Sequence, residues 1–249
     1  VIALQLFVLI CPIIMNIIIT GASRGIGFET ALALVQLGHH VIAVARSGKG
    51  LENLQNAARA SGSDNRLMIL AGDLSSELDL QQIVFTAKSL NDRIDILINN
   101  AGVIINKPFE KITPEELRLS YEVNVFVPFR LTQLLLPMMG GDEVSHVVNI
   151  SSMGGFQGSS KFSGLSAYSS SKAALAGLSE VMAEEFRDLN IKVNCLALGA
   201  TQTEMLEVAF PGYKAPITAN EMAKWIAWFA LNGHQFFNGK VLPVGLSTP

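Results

Sequence analysis

The sequence is sparing with the groups that most often announce a site. It holds two cysteines among 249 residues, Cys11 and Cys195, far apart and in no CxxC or Cys/His cluster. Its four histidines, His39, His40, His146 and His234, also lack metal-ligand spacing, so a reducing compartment and no metal site are expected. Charge is scarce too: 16% of residues are charged, the formal net charge is −3 and no basic run occurs. That removes the electrostatic footprint of a nucleic-acid partner. No repeat, low-complexity tract or linker divides the chain. Against these shortages stands a hydrophobic content of 49%, which argues for a large buried core and against disorder. The length suits one large α/β domain or two small ones.

The first nineteen residues contain only Gln5, Pro12 and Asn16 that are not apolar or cysteine. If the strand-like run after Met15 belongs to a folded core, at most fifteen residues remain for a membrane anchor. As a helix they would span roughly 22 Å, against a hydrocarbon core of about 30 Å, and Pro12 would interrupt them. No basic leader region and no small-residue cleavage site mark a secretion signal. Residues 1–14 are therefore expected to be an upstream extension and 15–249 a single domain. No membrane association and a cytoplasmic location are expected. The rival is an apolar arm packed on the body or on a partner subunit.

Past Met15, short β-branched runs alternate with helical patterns. IIIT (17–20), VIAVA (41–45), LMILA (67–71), DILIN (95–99), VSHVVNI (144–150) and IKVNCLA (191–197) read as strands. They are nearly continuous in apolar residues, as parallel strands covered on both faces must be. Thr113-Pro114-Glu115-Glu116 is a capping box opening a helix, and Thr218-x-x-Glu221 repeats the signature. The expected fold is a doubly wound α/β Rossmann fold, one parallel sheet of about seven strands with helices on both faces.

The first of these runs leads into Gly21-Ala-Ser-Arg-Gly25-Ile-Gly27 and then a helical segment. Glycines there let the backbone approach a pyrophosphate, and the helix presents free N–H groups to it. An acidic residue at the end of the second strand would bind the adenosine ribose hydroxyls. Arg46-Ser47 stands there instead, and Arg24 sits in the turn. Two guanidiniums favour a 2′-phosphate through charge-assisted hydrogen bonds, so NADP(H) is preferred over NAD(H).

Taken with NNAG (99–102), Asn124, ISS (150–152) and YSSSK (168–172), the chain resembles the short-chain dehydrogenase/reductase family, in its single-domain form of about 250 residues. The resemblance runs from about Asn16 to about Met205. It implies a nicotinamide-dependent carbonyl/alcohol oxidoreductase with Asn124, Ser152, Tyr168 and Lys172 as its catalytic group. The same resemblance implies cofactor contacts from Gly21, Ser23, Arg24, Gly25, Ile26 and Gly27, and from Arg46, Ser47, Asp73 and Leu74. Asn100, Ala101, Gly102, Tyr168, Lys172, Gly199, Thr201 and Thr203 complete that set. Asp73 would meet the adenine amino group; as an alternative it caps the following helix. The main-chain carbonyl of Asn124 would hold a water that relays protons from the lysine. The chain departs from the family in lacking proline before Gly199 and Asp-Gly-Gly near its C-terminus.

The chemistry can be argued independently. Reducing a carbonyl leaves an alkoxide that needs a proton, so a general acid must face that oxygen. Tyr168 and Lys172, four apart on a helix, share one face. An ammonium ~4 Å from the phenol at an effective dielectric of about 20 contributes roughly 4 kcal/mol, about three pH units. The tyrosine pKa is therefore expected to fall from about 10 towards 7. Ser152 can donate to the same oxygen. Pro128, four residues beyond Asn124, has no N–H, so the Asn124 carbonyl loses its helical partner and a kink is expected.

Two regions should shape a substrate pocket. The fifteen residues 153–167, with four glycines and four serines, are longer than is usual in the family and are expected to be mobile. Phe156, Phe162 and Leu165 either face a ligand or pack the loop down. Residues 204–219 form a short lid in which Lys214 is the only cation, so a neutral or apolar carbonyl is favoured over an acidic one. The alternatives are a 3-oxoacyl thioester reductase serving an acyl carrier protein, and a non-catalytic NADP(H)-binding sensor. A homodimer or homotetramer paired through helices is expected.

Overall fold

A computed structural model describes residues 13–90 and 92–247. Asn16–Thr20 forms β1, and the turn after it opens α1, Gly25–Gln36. His40–Ala45 (β2), Gly48–Ala60 (α2), Leu67–Ala71 (β3), Glu77–Lys88 (α3) and Ile96–Asn99 (β4) follow. Pro114–Tyr121 (α4) continues through a π-helical turn, Glu122–Phe126, into α5, Val127–Leu135. Ser145–Ser152 (β5), Ser166–Glu185 (α6) and Ile191–Leu198 (β6) carry the second half. Thr201–Gln202 (β7), Glu204–Ala209 (α7), Ile217–Thr218 (β8), Ala219–Asn232 (α8) and Lys240–Val244 (β9) complete the order.

Seven strands form one parallel sheet in the order β3-β2-β1-β4-β5-β6-β9, and β7 pairs with β8 apart from it. The side-chain period of two divides the core in two. Ile17 and Ile19 of β1 face one cluster with Leu34 of α1, Leu54 of α2 and Ile226 of α8. Ile18 faces the other, with Ile83 of α3, Leu131 of α5 and Met182 of α6. Both faces are thus covered, as the apolar runs required.

The six expected strands are present with ends shifted by no more than two residues. The seventh, β9, contains Pro243 opposite Ala197; an edge strand tolerates the missing N–H because no further strand needs it. Both capping boxes form, Thr113 with Glu116 and Thr218 with Glu221. Of the expected extension 1–14, residues 1–12 lie outside the described residues, and Ile13 and Ile14 are exposed. Among the described residues no helix is long and apolar enough to cross a membrane.

Candidate active site

The sheet order reverses between β1 and β4, and a crevice beyond the carboxyl ends of these strands is where such a fold binds ligands. A cleft of about 450 Å³ lies there. Its floor is the turn from β1 into α1. Gly21 has φ +71°, and a Cβ on it would sit 2.8 Å from Ala101 Cα. On Gly27 a Cβ would lie 2.3 Å from both Gly21 O and Asn100 Nδ2. Neither contact can relax, because backbone forms one side of each. Asn100 Nδ2 donates to Thr20 O at 2.9 Å, while Thr20 Oγ1 accepts from the backbone N–H groups of Asn100 and Ala101. The end of β4 is thereby fastened to the turn. The donor-rich helix start left open by these glycines fits a pyrophosphate.

Every residue expected to touch the cofactor lines this cleft, from Gly21, Ser23, Arg24, Gly25, Ile26 and Gly27 to Gly199, Thr201 and Thr203. Several have other attachments. Arg24 is bonded to Glu204 at the start of α7, 2.7 Å away, with both side chains mostly exposed. Arg46 is exposed and Ser47 caps α2, accepting from Gly50 N at 3.2 Å. Asp73 binds Ser75 through its backbone N–H and hydroxyl, and these bonds hold its carboxyl below the usual range. The alternative of Asp73 as a helix cap is overturned. Ser76 caps α3, because it alone stands three residues before the accepted Asp79 N–H. Gly199 is forced: a Cβ would meet Ser247 O at 2.7 Å. Thr203 caps α7, and the Thr201 hydroxyl donates to Gly199 O.

Ser152 ends β5 and lies in the same cleft as Tyr168 and Lys172 of α6. Ser152 Oγ accepts from Gly154 N at 3.2 Å, which fixes its lone pairs and leaves its proton free. Lys172 is buried, and Nζ donates to Ile150 O at 2.7 Å while lying 6.0 Å from the centre of the Tyr168 ring. Burial pushes the lysine down to about 8. The expected depression of Tyr168 is not found: burial raises its phenol, with the Ser152 hydroxyl pulling the other way. Taking the phenol out of water disfavours its charged form.

Asn124 does not line the cleft. It is wholly buried, and its amide clasps Val103, accepting from the N–H at 2.9 Å and donating to the carbonyl at 3.0 Å. The same Nδ2 donates to Ser171 Oγ at 2.9 Å. Where a kink is expected the helix carries a π-helical turn, in which Val127 N–H reaches back to Glu122 O. Ser171 and Asn106 were not singled out from the sequence. Ser171 carried a usable signal, lying three after Tyr168 on α6.

The loop 153–167 is tied down rather than open. Ser159 Oγ and Lys161 Nζ both donate to Phe156 O, and Lys107 N donates to Gly164 O. Asn106 Nδ2 donates to Ala209 O at 2.8 Å, joining the segment after β4 to the lid. Phe162 and Leu165 face the cleft and Phe156 does not.

The family model for the short chain dehydrogenases matches residues 15–214. The chain belongs to this family. Among curated relatives, the ketoacyl reductase HetN of Nostoc sp. is 34% identical over 191 residues, 76% of the chain. The match spans 65% of that relative, just under two thirds of its length. The 3-oxoacyl-[acyl-carrier-protein] reductase FabG of Salmonella typhimurium is 29% identical over 237 residues, 91% of this chain and 94% of its own. In structure, 7 alpha-hydroxysteroid dehydrogenase complexed with NADH and 7-oxo glycochenodeoxycholic acid is similar with a TM-score of 0.84 and 28% identity. That likeness covers 93% of this chain and 92% of that one.

Proposed function

We propose that the chain is an NAD(P)-dependent oxidoreductase acting on CH–OH and C=O groups, with NADP(H) preferred. The observation that carries this reading is the convergence of Ser152, Tyr168 and Lys172 on the cleft whose floor is the glycine turn. The nicotinamide, when bound, supplies or accepts a hydride at the substrate carbon. Tyr168 gives its phenolic proton to the carbonyl oxygen in reduction and takes it back in oxidation. Ser152 donates a hydrogen bond to that oxygen. Lys172, with its pKa near 8, exchanges protons near neutral pH and recharges the tyrosine. The Asn124 carbonyl, left without an α-helical donor by Pro128, serves as the water-holding station beyond the lysine.

Gly21, Gly25 and Gly27, with the N-terminus of α1, would hold the pyrophosphate. Arg46 and Arg24 would meet a 2′-phosphate, since β2 ends without a carboxylate. Asp73 and Leu74 would flank the adenine, Asn100 to Gly102 the adenosine ribose, and Gly199, Thr201 and Thr203 the carboxamide end. Leu117, Phe126 and Phe129, all exposed on α4, the π-turn and α5, support a helix-paired homodimer or homotetramer, which light scattering would detect.

The deciding experiment follows NADPH oxidation against a panel of ketones and aldehydes, with Tyr168→Phe as control. Turnover by the wild type and loss of at least a hundredfold in the variant, with NADPH binding unchanged, is expected. Tight NADPH binding without turnover of any carbonyl would instead support the sensor.

A further inference from the structure

The cleft divides into two chemical halves. Charged and hydroxyl groups concentrate where a dinucleotide would lie. Beyond Ser152 and Tyr168 the walls are Met153, Phe162, Leu165, Met205, Leu206 and Phe210, with no polar side chain among them. They come from the loop after β5 and from the lid, and the two segments meet where Phe162 packs edge-to-face on Phe210, ring centres 5.1 Å apart. The arrangement is braced from a third side. Asn106 fastens the lid through Ala209 O, and its backbone neighbour Lys107 fastens the loop through Gly164 O. Gly164, at φ +85°, is required there, because a Cβ would lie 2.2 Å from Asn106 Oδ1.

Three charged side chains around the mouth are already engaged, while Lys214 of the lid stands exposed. Arg24 is held by Glu204, Lys107 by Glu116, and Lys161 donates to Phe156 O at 2.6 Å. Arg24 lies at the dinucleotide end of the cleft, and Lys107 and Lys161 have partners of their own in Glu116 and Phe156 O. A substrate charge placed against these six side chains would meet hydrocarbon, thioether and aromatic surface, and would lose its hydration without replacement.

Resting on the oxidoreductase reading, we infer that the substrate is a free, neutral ketone or aldehyde with an apolar substituent seated in this far half. The Phe162–Phe210 pair closes the end of that half and sets the length of substituent accepted. The two polar handles on the substrate side, Ser152 and Tyr168, suffice for one carbonyl oxygen, and specificity for the remainder comes from shape and burial.

The test is a series of methyl ketones of increasing chain length, paired with 2-oxo acids of matched length. Each methylene buried should raise kcat/KM about fourfold, the transfer value of about 0.8 kcal/mol per CH₂ converted to a ratio, until the rings block further growth. The 2-oxo acids should be at least a hundredfold poorer. Phe162→Ala and Phe210→Ala should move the plateau to longer chains. Phe210→Leu, which keeps apolar volume in the lid, checks the same shift if the alanine variant unfolds. A 3-oxoacyl thioester should gain nothing when carried on acyl carrier protein rather than on a small thiol. Calorimetric binding of unreactive N-methyl amides, against matched carboxylates, reads the same preference without turnover. Absence of any turnover together with amide binding that strengthens with chain length would sink the oxidoreductase reading, and the substrate with it, while keeping the far half as an apolar ligand pocket. Equal use of oxo acids, a flat chain-length profile, a plateau unmoved in both phenylalanine variants, or a tenfold gain from the carrier would overturn it.

Discussion

Replacing Lys172 by methionine should remove one limb of the protein's stability–pH profile. The folded lysine titrates near 8, pushed down from 10.5 by burial. Below about pH 8 folded and unfolded chains both carry the proton, so the burial penalty is borne in full. Between 8 and 10.5 the unfolded chain keeps a proton that the folded chain has released, so stability rises with pH. At about 1.36 kcal/mol per pH unit, the interval is worth roughly 3 kcal/mol. Cys195 opposes this, because burial raises its thiol from 9.0 to about 11. From 9 to 11 the folded state holds a proton the unfolded state has lost, and stability falls. Tyr168, raised by burial, acts in the same sense. The wild type alone would therefore show a clear rise only between about 8 and 9. Subtracting the Lys172→Met profile removes the larger, burial-driven part of the cysteine and tyrosine contributions and exposes the lysine together with its coupling to Cys195. Urea denaturation followed by circular dichroism, in half-unit steps from pH 7 to 10.5, measures both. The wild type should gain about 3 kcal/mol on the variant across the range. A difference that stays flat to within about 0.5 kcal/mol, or one that declines, would refute the buried, weakened lysine.

Gly27→Ala should cost at least tenfold in dinucleotide affinity by fluorescence titration, since its Cβ would lie 2.3 Å from Gly21 O; unchanged affinity would show that the turn has room. Asn124→Ala should destabilise by about 1 to 3 kcal/mol in urea, because it removes both partners of the half-buried Val103 backbone. A loss under 1 kcal/mol would mean water or Ser171 replaces the amide. Arg46→Ala should weaken NADPH binding about tenfold or more, the value of one charge-assisted hydrogen bond, and change NADH binding by less than twofold. Equal losses for both dinucleotides would remove Arg46 from the 2′-phosphate.

What was legible in the sequence is what local chemistry decides. Runs such as Ile17–Ile19 can be buried on both faces only inside a covered parallel sheet, and Thr113 needs only its own Glu116 to start a helix. Glycine at 21 and 27 answered a local demand for close approach. The failures lie where distant segments decide. Glu204 takes Arg24 from 180 residues away, so the arginine's partner was invisible from its own turn. The glycine-rich loop looked free because Asn106 and Lys107, which hold it and the lid, sit in an unremarkable stretch after β4. Tyr168 was misjudged because spacing places a lysine on the same helical face but says nothing of how much water both have lost.

Asn124 shows how the two kinds of information combine. The resemblance assigns Asn124 its task through the main-chain carbonyl and says nothing of the amide. The amide is spent: Val103 takes both its functions and Ser171 shares the donor, which locks the segment after β4 against α6. Only the carbonyl remains for any task beyond scaffolding. Pro128 supplies no N–H to it, and the π-helical turn shifts the preceding donor, Val127, back to Glu122. A regular helix through this point would bury the carbonyl in its own ladder. Changing Pro128 to alanine restores a donor at the α-helical distance, so it should draw the turn towards regular helix and slow proton delivery. The reading requires kcat for Pro128→Ala to fall several-fold with a larger solvent isotope effect, while KM and urea stability hold. A variant with unaltered kcat and isotope effect would reduce the proline and its π-turn to packing.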